Sequence, residues 1–492
     1  MVPTGFIQYD MPYYLASGRE YFDQGFQLTY GNPYAGYDTP AIYFQPHIFL
    51  LGLMQQLGLD PGVTFNCFGI VALLFAVTVA IWFYAEVVGV ETPAKKIGLV
   101  CFFWGGGVLT LAGLTSGLVG GHALSTIWNR DLWSYDPDGG WWMLNFGRNL
   151  VYPTEAYYHA LFLLSLLALM RRRLGLSLTC AALLSCSHPF SGLTLISVLI
   201  AYSGLELMFP SGTVSLRFML GAILIGLLHV AYYLVWLNRF SDHRALQAQW
   251  QIAWLYPPRT FVPALMIVGG LAVWQITSTS FRCFRDPRTR LFLVWFLVVF
   301  GLTQHNLLMR PLQPIHFAHG YDWTALFFIG APVLIAILDR ILKIPQVWMR
   351  SAVLTLFLGM FLLDNVAWLA NKAVYNEQVV SLTKPQSDVL DWLTLNLRPG
   401  DMVICQDRLI SYLVSTYTPA RSWQGHLFNT PSIGQRHDEV EDFFKEGRIL
   451  PQWNLPGMYY VSPAEWMPPK KLSLQRRYGN SEFLVWASPQ PR

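Results

Sequence analysis

The sequence predicts an α-helical polytopic membrane protein with a small C-terminal α/β domain outside the membrane. Three observations carry that prediction. Of 492 residues, 53% are hydrophobic and 13% are charged, about half the charge of an ordinary soluble chain. Mean hydropathy is +0.36. Apolar runs recur between residues 64 and 370, each near the roughly 20 residues that a spanning helix needs. After Ala370 charge rises and the apolar runs shorten. The expected division is 1–63, an outer loop with interfacial helices; 64–370, a transmembrane domain of about ten helices; and 371–492, an outer α/β domain.

Composition also excludes classes. The net charge is +4 and is spread along the chain, so nucleic acid is not an expected partner. Six cysteines form no CxxC pair, which argues against a zinc or disulfide framework. The 19 Trp and 24 Tyr suit aromatic belts at the two membrane surfaces.

The elements follow in order. Residues 1–39 are polar and aromatic and contain Asp10. Segment 40–58 is apolar but carries Gln45, His47, Gln55 and Gln56, which predicts an interfacial helix rather than a span. Spans are expected near 64–88, 97–118, 154–170, 174–188, 190–209, 216–237, 260–280, 291–308, 322–342 and 350–370. The fourth ends at Ser187-His188-Pro189, where proline stops or kinks a helix. His229 and Asp364 are polar exceptions within these runs. His229 reads as packed and hydrogen-bonded, and Asp364 as reaching to the membrane surface. In the tail, Ser387–Leu397 and Leu409–Tyr417 read as helices. Met402–Cys405, Met458–Val461 and Glu482–Ala487 read as strands, the last after a Gly479-Asn480 turn.

Loop charge sets orientation, because cytoplasmic loops are enriched in Lys and Arg. One set of loops holds Lys95, Lys96, Arg171 to Arg173, Arg282, Arg285, Arg288 and Arg290, among others. The alternate, longer loops are poorer in basic residues. The N-terminal segment, 119–153, 238–259, 309–321 and the tail are therefore expected outside. A periplasmic or extracellular face in a prokaryotic plasma membrane is the natural assignment.

The polar residues collect on that outer side. Asp10 lies with Tyr9, Tyr13, Tyr14, Arg19 and Glu20, and its structural alternative is a helix N-cap ahead of Pro12. Asp136-Pro137-Asp138 is a DxD that can chelate a divalent cation, or an ordinary turn before two glycines. Glu155 and His159 are spaced i, i+4 on one helix face. His188 lies in a tight turn between two spans. Arg310 opens the stretch Arg310 to Asp322, with His316 and His319. Its guanidinium suits a lipid phosphate, which it can grip through paired hydrogen bonds.

The stretch Asp10-Met11-Pro12-Tyr13-Tyr14-Leu15-Ala16, followed by Arg19-Glu20-Tyr21-Phe22, Gly25 and Asn32-Pro33-Tyr34, resembles the first outer loop of the GT-C superfamily of integral-membrane glycosyltransferases. It is similar to that of the oligosaccharyltransferases and mannosyltransferases. The tail stretch Tyr417-Thr418-Pro419-Ala420-Arg421-Ser422-Trp423-Gln424-Gly425-His426-Leu427-Phe428-Asn429-Thr430-Pro431 is similar to outer domains of uncharacterised prokaryotic members. The family ordinarily places a span before its acidic loop; either such a span lies ahead of residue 1 or the chain is a divergent member.

The resemblance implies inverting transfer of a sugar from a polyprenyl-phosphate-linked donor to a glycan, lipid or protein acceptor, with membrane lipid as a further partner. Asp10 would be the base. Arg310 would hold the donor phosphate, with Arg148 and His319 as helpers. Tyr13, Glu155, His159 and His188 would line the substrate site, and Trp141 and Trp142 would offer stacking faces. No cofactor is expected; the alternative is Mg2+ or Mn2+ on Asp136 and Asp138. Two other classes stay open: a non-catalytic assembly subunit of the same fold, and a lipid or solute transporter.

Overall fold

Helix boundaries follow the local chemistry of the chain. In a computed structural model all residues are described except 24, 136–142, 211, 213, 250–252, 375–378, 454, 470–471 and 489–492. Prolines open the helices Pro93–Trp104, Pro153–Met170, Pro189–Met208, Pro258–Ser278 and Pro287–Thr303, where the missing N–H costs nothing. Side chains of Thr92, His188 and Asp286 accept first-turn N–H groups of three of these helices. All ten expected spans are helical, but their lengths differ from expectation. Among the described residues, six helices are long and apolar enough to cross a membrane: Pro61–Val87, Pro189–Met208, Leu216–Arg239, Pro258–Ser278, Tyr321–Leu342 and Val347–Val374. A bent pair makes a seventh. Pro153–Met170 has polar opening turns, and Leu174–Ser187 and Pro287–Thr303 have 14 and 17 residues. The chain is an integral membrane protein on these helices.

The bent pair corrects the expected continuous span 97–118. Pro93–Trp104 and Leu109–Val119 meet at 61° across Gly105-Gly106-Gly107. A Cβ on Gly107 would lie 2.1 Å from the Pro263 carbonyl oxygen, so glycine is required where these backbones touch. Breaking a helix in an apolar setting frees backbone groups that must find partners. Asp364 supplies them. Its Oδ2 accepts N–H groups from Gly107 at 3.0 Å and Leu109 at 3.1 Å, and its Oδ1 accepts that of Thr110 at 2.8 Å. Asn365 Nδ2 donates to the carbonyls of Trp104 and Gly105. Asp364 is thus buried and acts as a cap, not as the surface-reaching side chain expected. His229 behaves as expected: it is buried with Nδ1 2.8 Å from Ser185 Oγ.

The chain divides into two compact units. One comprises Met1–Phe68, Tyr232–Gln251 and Asn376–Arg492; the other comprises Gly69–Ala231 and Ile252–Tyr375. Residues 1–63, expected as a segment of their own, fall in the same unit as the tail. A short antiparallel pair joins Val2–Pro3 to Ser381–Leu382. Helix Met11–Glu20 packs on the expected interfacial helix, here Pro46–Gln56, and on Arg408–Tyr417.

The tail sheet has five strands in the order Arg421–Ser422, Met402–Cys405, Met458–Pro463, Phe483–Ala487, Gln475–Gly479. The first three run parallel and the last two join antiparallel. Asn480 makes the expected turn, its Oδ1 accepting the N–H groups of Glu482 and Phe483. Helix Ile433–Glu446 was not expected. It covers the sheet with Val440, Phe443 and Phe444 against Ile404, Trp453, Tyr460 and Trp486.

In the helical unit, basic residues of the expected cytoplasmic loops gather at one end. Glu86 pairs with Arg171 at 2.9 Å and Arg288 at 2.8 Å, and Glu206 with Arg290 at 2.6 Å. Glu86 and Arg171 lie at C-terminal helix ends and Arg288 at an N-terminal one, so Pro287–Thr303 runs antiparallel to the other two and all three share that end. The opposite ends of Pro153–Met170 and Pro189–Met208 hold Glu155 and His188.

Candidate active site

Asp10 lies at the N-terminal boundary of Met11–Glu20, yet its side chain makes no capping hydrogen bond. Its backbone there is helical, with φ −78° and ψ −14°, which differs from the extended conformation that capping uses. The carboxylate is turned to other work. Asp10 Oδ1 lies 3.0 Å from His426 Nε2. The tautomer follows from the other ring nitrogen. His426 Nδ1 accepts the N–H of Phe428 at 3.2 Å, so in the neutral ring the proton is on Nε2 and is donated to Asp10. Asn429 Nδ2 adds a second contact to Nδ1 at 2.9 Å.

Exposure separates the two partners. The Asp10 side chain is 37% exposed and that of His426 is 3% exposed. A buried imidazole therefore fixes one oxygen of a carboxylate that solvent and ligands can reach. Four tyrosines surround His426. Ring centroids of Tyr13, Tyr9, Tyr412 and Tyr34 lie 4.9, 5.3, 5.6 and 5.8 Å from it. Tyr9 stacks on Tyr412 at 4.5 Å, and Tyr412 Oη donates to the Tyr9 carbonyl. Burial pushes the Tyr9 phenol up to about 12 and raises that of Tyr13 as well, so both stay neutral hydrogen-bonding groups. Tyr13 is half-buried and faces His426, where the sequence placed a substrate contact. Nearby, Arg421 bonds the Asn32 carbonyl, Glu20 and Asp38, which ties the tail to the N-terminal loop within this unit.

The helical unit holds a separate polar cluster. Glu155, in the first turn of Pro153–Met170, has Oε2 2.7 Å from His319 Nδ1. The carboxylate expected to face His159 is thus bonded to His319, and the His159 ring lies against Phe146 and Tyr321. His188 caps Pro189–Met208: its Nδ1 is 3.1 Å from the Ser191 N–H and 3.0 Å from Ser191 Oγ. Its ring stacks on Tyr158 at 4.7 Å. His316 is stacked between Phe190 at 5.0 Å and Trp254 at 4.8 Å. His319 takes φ +40°, which is strained for a residue with a side chain. Asn149 Nδ2 holds its carbonyl at 3.1 Å. Gly320 follows at φ +68°, and a Cβ there would strike Asn145 at 2.4 Å. Burial pushes His319 down to about 3 and His316 well below the usual imidazole range. Both rings are neutral.

Other expected residues are placed differently. Arg148 is fully buried, with Nε 2.7 Å from Asn365 Oδ1. It ties the helix break together instead of presenting a phosphate grip. Asp322, next to the histidines in sequence, accepts from Tyr256 Oη at 2.9 Å. Arg310 is exposed among exposed Leu307, Leu308, Met309 and Leu312, as a guanidinium at a lipid surface would be. Asp136, Asp138, Trp141 and Trp142 lie outside the described residues. His426 was not singled out from the sequence, although the tail stretch that carries the family resemblance contains it.

No known protein family matches the sequence, and no curated protein matches it. Among solved structures, the chain is similar to ArnT from Cupriavidus metallidurans bound to undecaprenyl phosphate, with 15% identity and a TM-score of 0.48, over 98% of this chain and 95% of that one. It is similar to the same protein in the apo state at the same identity and TM-score, over 98% of this chain and 94% of that one.

Proposed function

We propose that the protein is a membrane glycosyltransferase that moves a sugar from a polyprenyl-phosphate-linked donor to an acceptor at the outer face of the membrane, with inversion. The observation that carries this reading is the Asp10–His426 pair: a reachable carboxylate with one oxygen held by a buried imidazole. The first-loop and tail resemblance to GT-C enzymes falls on these same two residues. An acceptor hydroxyl is a weak nucleophile, so its proton must leave as its oxygen attacks the anomeric carbon. In this reading the free oxygen of Asp10 takes that proton. The bond from the anomeric carbon to the phosphate oxygen breaks, and the polyprenyl phosphate leaves with the electron pair.

His426 keeps the other oxygen engaged, so one carboxylate lone pair stays directed for proton transfer. Tyr13 supplies an aromatic face for a sugar ring. Arg310 is assigned to the carrier phosphate, where a guanidinium offsets the charge that develops on the leaving group. The loop-charge asymmetry supports an active face on the outer side.

The test uses full-length protein in detergent with a panel of radiolabelled polyprenyl-phosphate sugars and membrane extract as acceptor. Transfer from at least one donor is expected, with donor affinity reduced about tenfold in Arg310→Ala, the scale of one charge-assisted contact. Failure of every donor to transfer would remove the enzymatic reading. Unchanged donor affinity in Arg310→Ala would remove that residue from the phosphate.

A further inference from the structure

Three histidines of the helical unit lie together. His188, His316 and His319 each offer one ring nitrogen, and these three atoms all lie within 4.8 Å of one another. Tetrahedral zinc holds imidazole nitrogens at about 2.0–2.1 Å, which puts them about 3.3 Å apart. Binding would require the three nitrogens, now within 4.8 Å of one another, to close to that spacing.

Each ring is prepared for such a role by a different neighbour. His319 Nδ1 is bonded to Glu155 Oε2 at 2.7 Å, which fixes the proton on Nδ1 and places the ring's lone pair on Nε2. A carboxylate behind a histidine is the usual support of a metal ligand. His316 Nδ1 is buried with no hydrogen-bond partner among the described residues. A buried, unsatisfied nitrogen is costly, and coordination removes that cost. Phe190 and Trp254 clamp the His316 ring on both faces. His188 has Nδ1 at 3.0 Å from Ser191 Oγ. Coordination through its Nε2 requires the proton on Nδ1, where that hydroxyl oxygen can accept it. The Ser191 N–H then becomes one of the first-turn groups a helix ordinarily leaves without an internal partner. Strain at His319, held at φ +40° by Asn149 and Gly320, is the kind of cost that clusters at ligand sites.

We propose that His188, His316 and His319 bind a borderline divalent transition-metal ion such as Zn2+, with Glu155 orienting His319 and one coordination position left for an oxygen ligand. Neutral imidazoles suit zinc, cobalt and nickel, and the absence of oxygen ligands from the trio disfavours Mg2+ and Ca2+. The site differs from the Asp136–Asp138 alternative considered from sequence, and it does not depend on transferase activity.

The experiment uses untagged full-length protein in detergent, stripped with chelator, re-equilibrated with Zn2+ and desalted, with bound metal read by mass spectrometry. One equivalent is expected in the native sequence and near zero in His316→Ala and His319→Ala. Glu155→Gln should weaken affinity about 10- to 100-fold. No bound zinc in the native protein would overturn the proposal, as would native stoichiometry in both histidine variants. Should those variants fail to elute as folded protein, Co2+ loading of the native protein decides. Intense visible bands of four-coordinate Co2+ support the site, and their absence overturns it.

Discussion

Replacing Asp364 should destabilise the helical unit. Its two oxygens accept three backbone N–H groups at the break between Pro93–Trp104 and Leu109–Val119. The side chain is fully buried, so water does not replace it readily. Each bond to a charged group contributes about 1.5–3 kcal/mol, and each buried donor left alone costs about 1–3 kcal/mol. The three are not additive, and removal also abolishes the cost of burying the carboxylate. Asp364→Ala should therefore cost about 3–5 kcal/mol, and Asp364→Asn roughly half of that, since one amide oxygen still accepts. At about 2–4 °C per kcal/mol for units of this size, the Ala variant should unfold about 10 °C lower. The assay is thermal unfolding of detergent-purified protein followed by tryptophan fluorescence. An Ala variant that melts within about 2 °C of the native protein, on that same scale, would refute the capping argument.

Three further outcomes follow from the geometry. His426→Ala should lower the transfer rate about tenfold, the worth of one charge-assisted hydrogen bond to a partly exposed carboxylate, and His426→Gln should restore part of it; the readout is the kcat of the transfer assay. Gly107→Ala puts a Cβ 2.1 Å from the Pro263 carbonyl oxygen, so a cost of about 3 kcal/mol or more should appear as poor recovery of folded protein on size-exclusion chromatography. Trp453 is fully buried between Trp423 and Phe443; Trp453→Ala should cost about 3–5 kcal/mol and make the tail more sensitive to limited proteolysis.

The sequence carried the helices well because apolar runs are local signals. It did not carry the break at Gly105 to Gly107, whose freed N–H groups find their acceptor up to 257 positions away in Asp364. The tail strands Met402–Cys405 and Phe483–Ala487 were legible from their apolar runs and the Gly479-Asn480 turn. Helix Ile433–Glu446 was missed because its apolar face is thin: Val440, Phe443 and Phe444 are spaced among charged residues. At the candidate site, Asp10 could be picked out because it stands among Tyr9, Tyr13 and Tyr14 at the head of the stretch that carries the family resemblance. His426 could not, because it joins Asp10 across 416 positions. Likewise Glu155 and His159 have helical spacing that invites a pair, yet the bonded partner of Glu155 is His319 on a distant loop. Periodicity reports which face a residue occupies. It does not report which distant side chain meets it.

The central claim is that Asp10 takes a proton during sugar transfer, and Asp10→Asn tests it most directly. The amide keeps an oxygen to accept from His426 Nε2 and is close in shape, so the fold around the tyrosines should persist. It lacks the basicity of a carboxylate. With a donor that the native protein uses, kcat for Asp10→Asn is predicted to fall about 10²- to 10⁴-fold, with donor affinity little changed. Undiminished kcat in a folded Asp10→Asn protein would contradict the account.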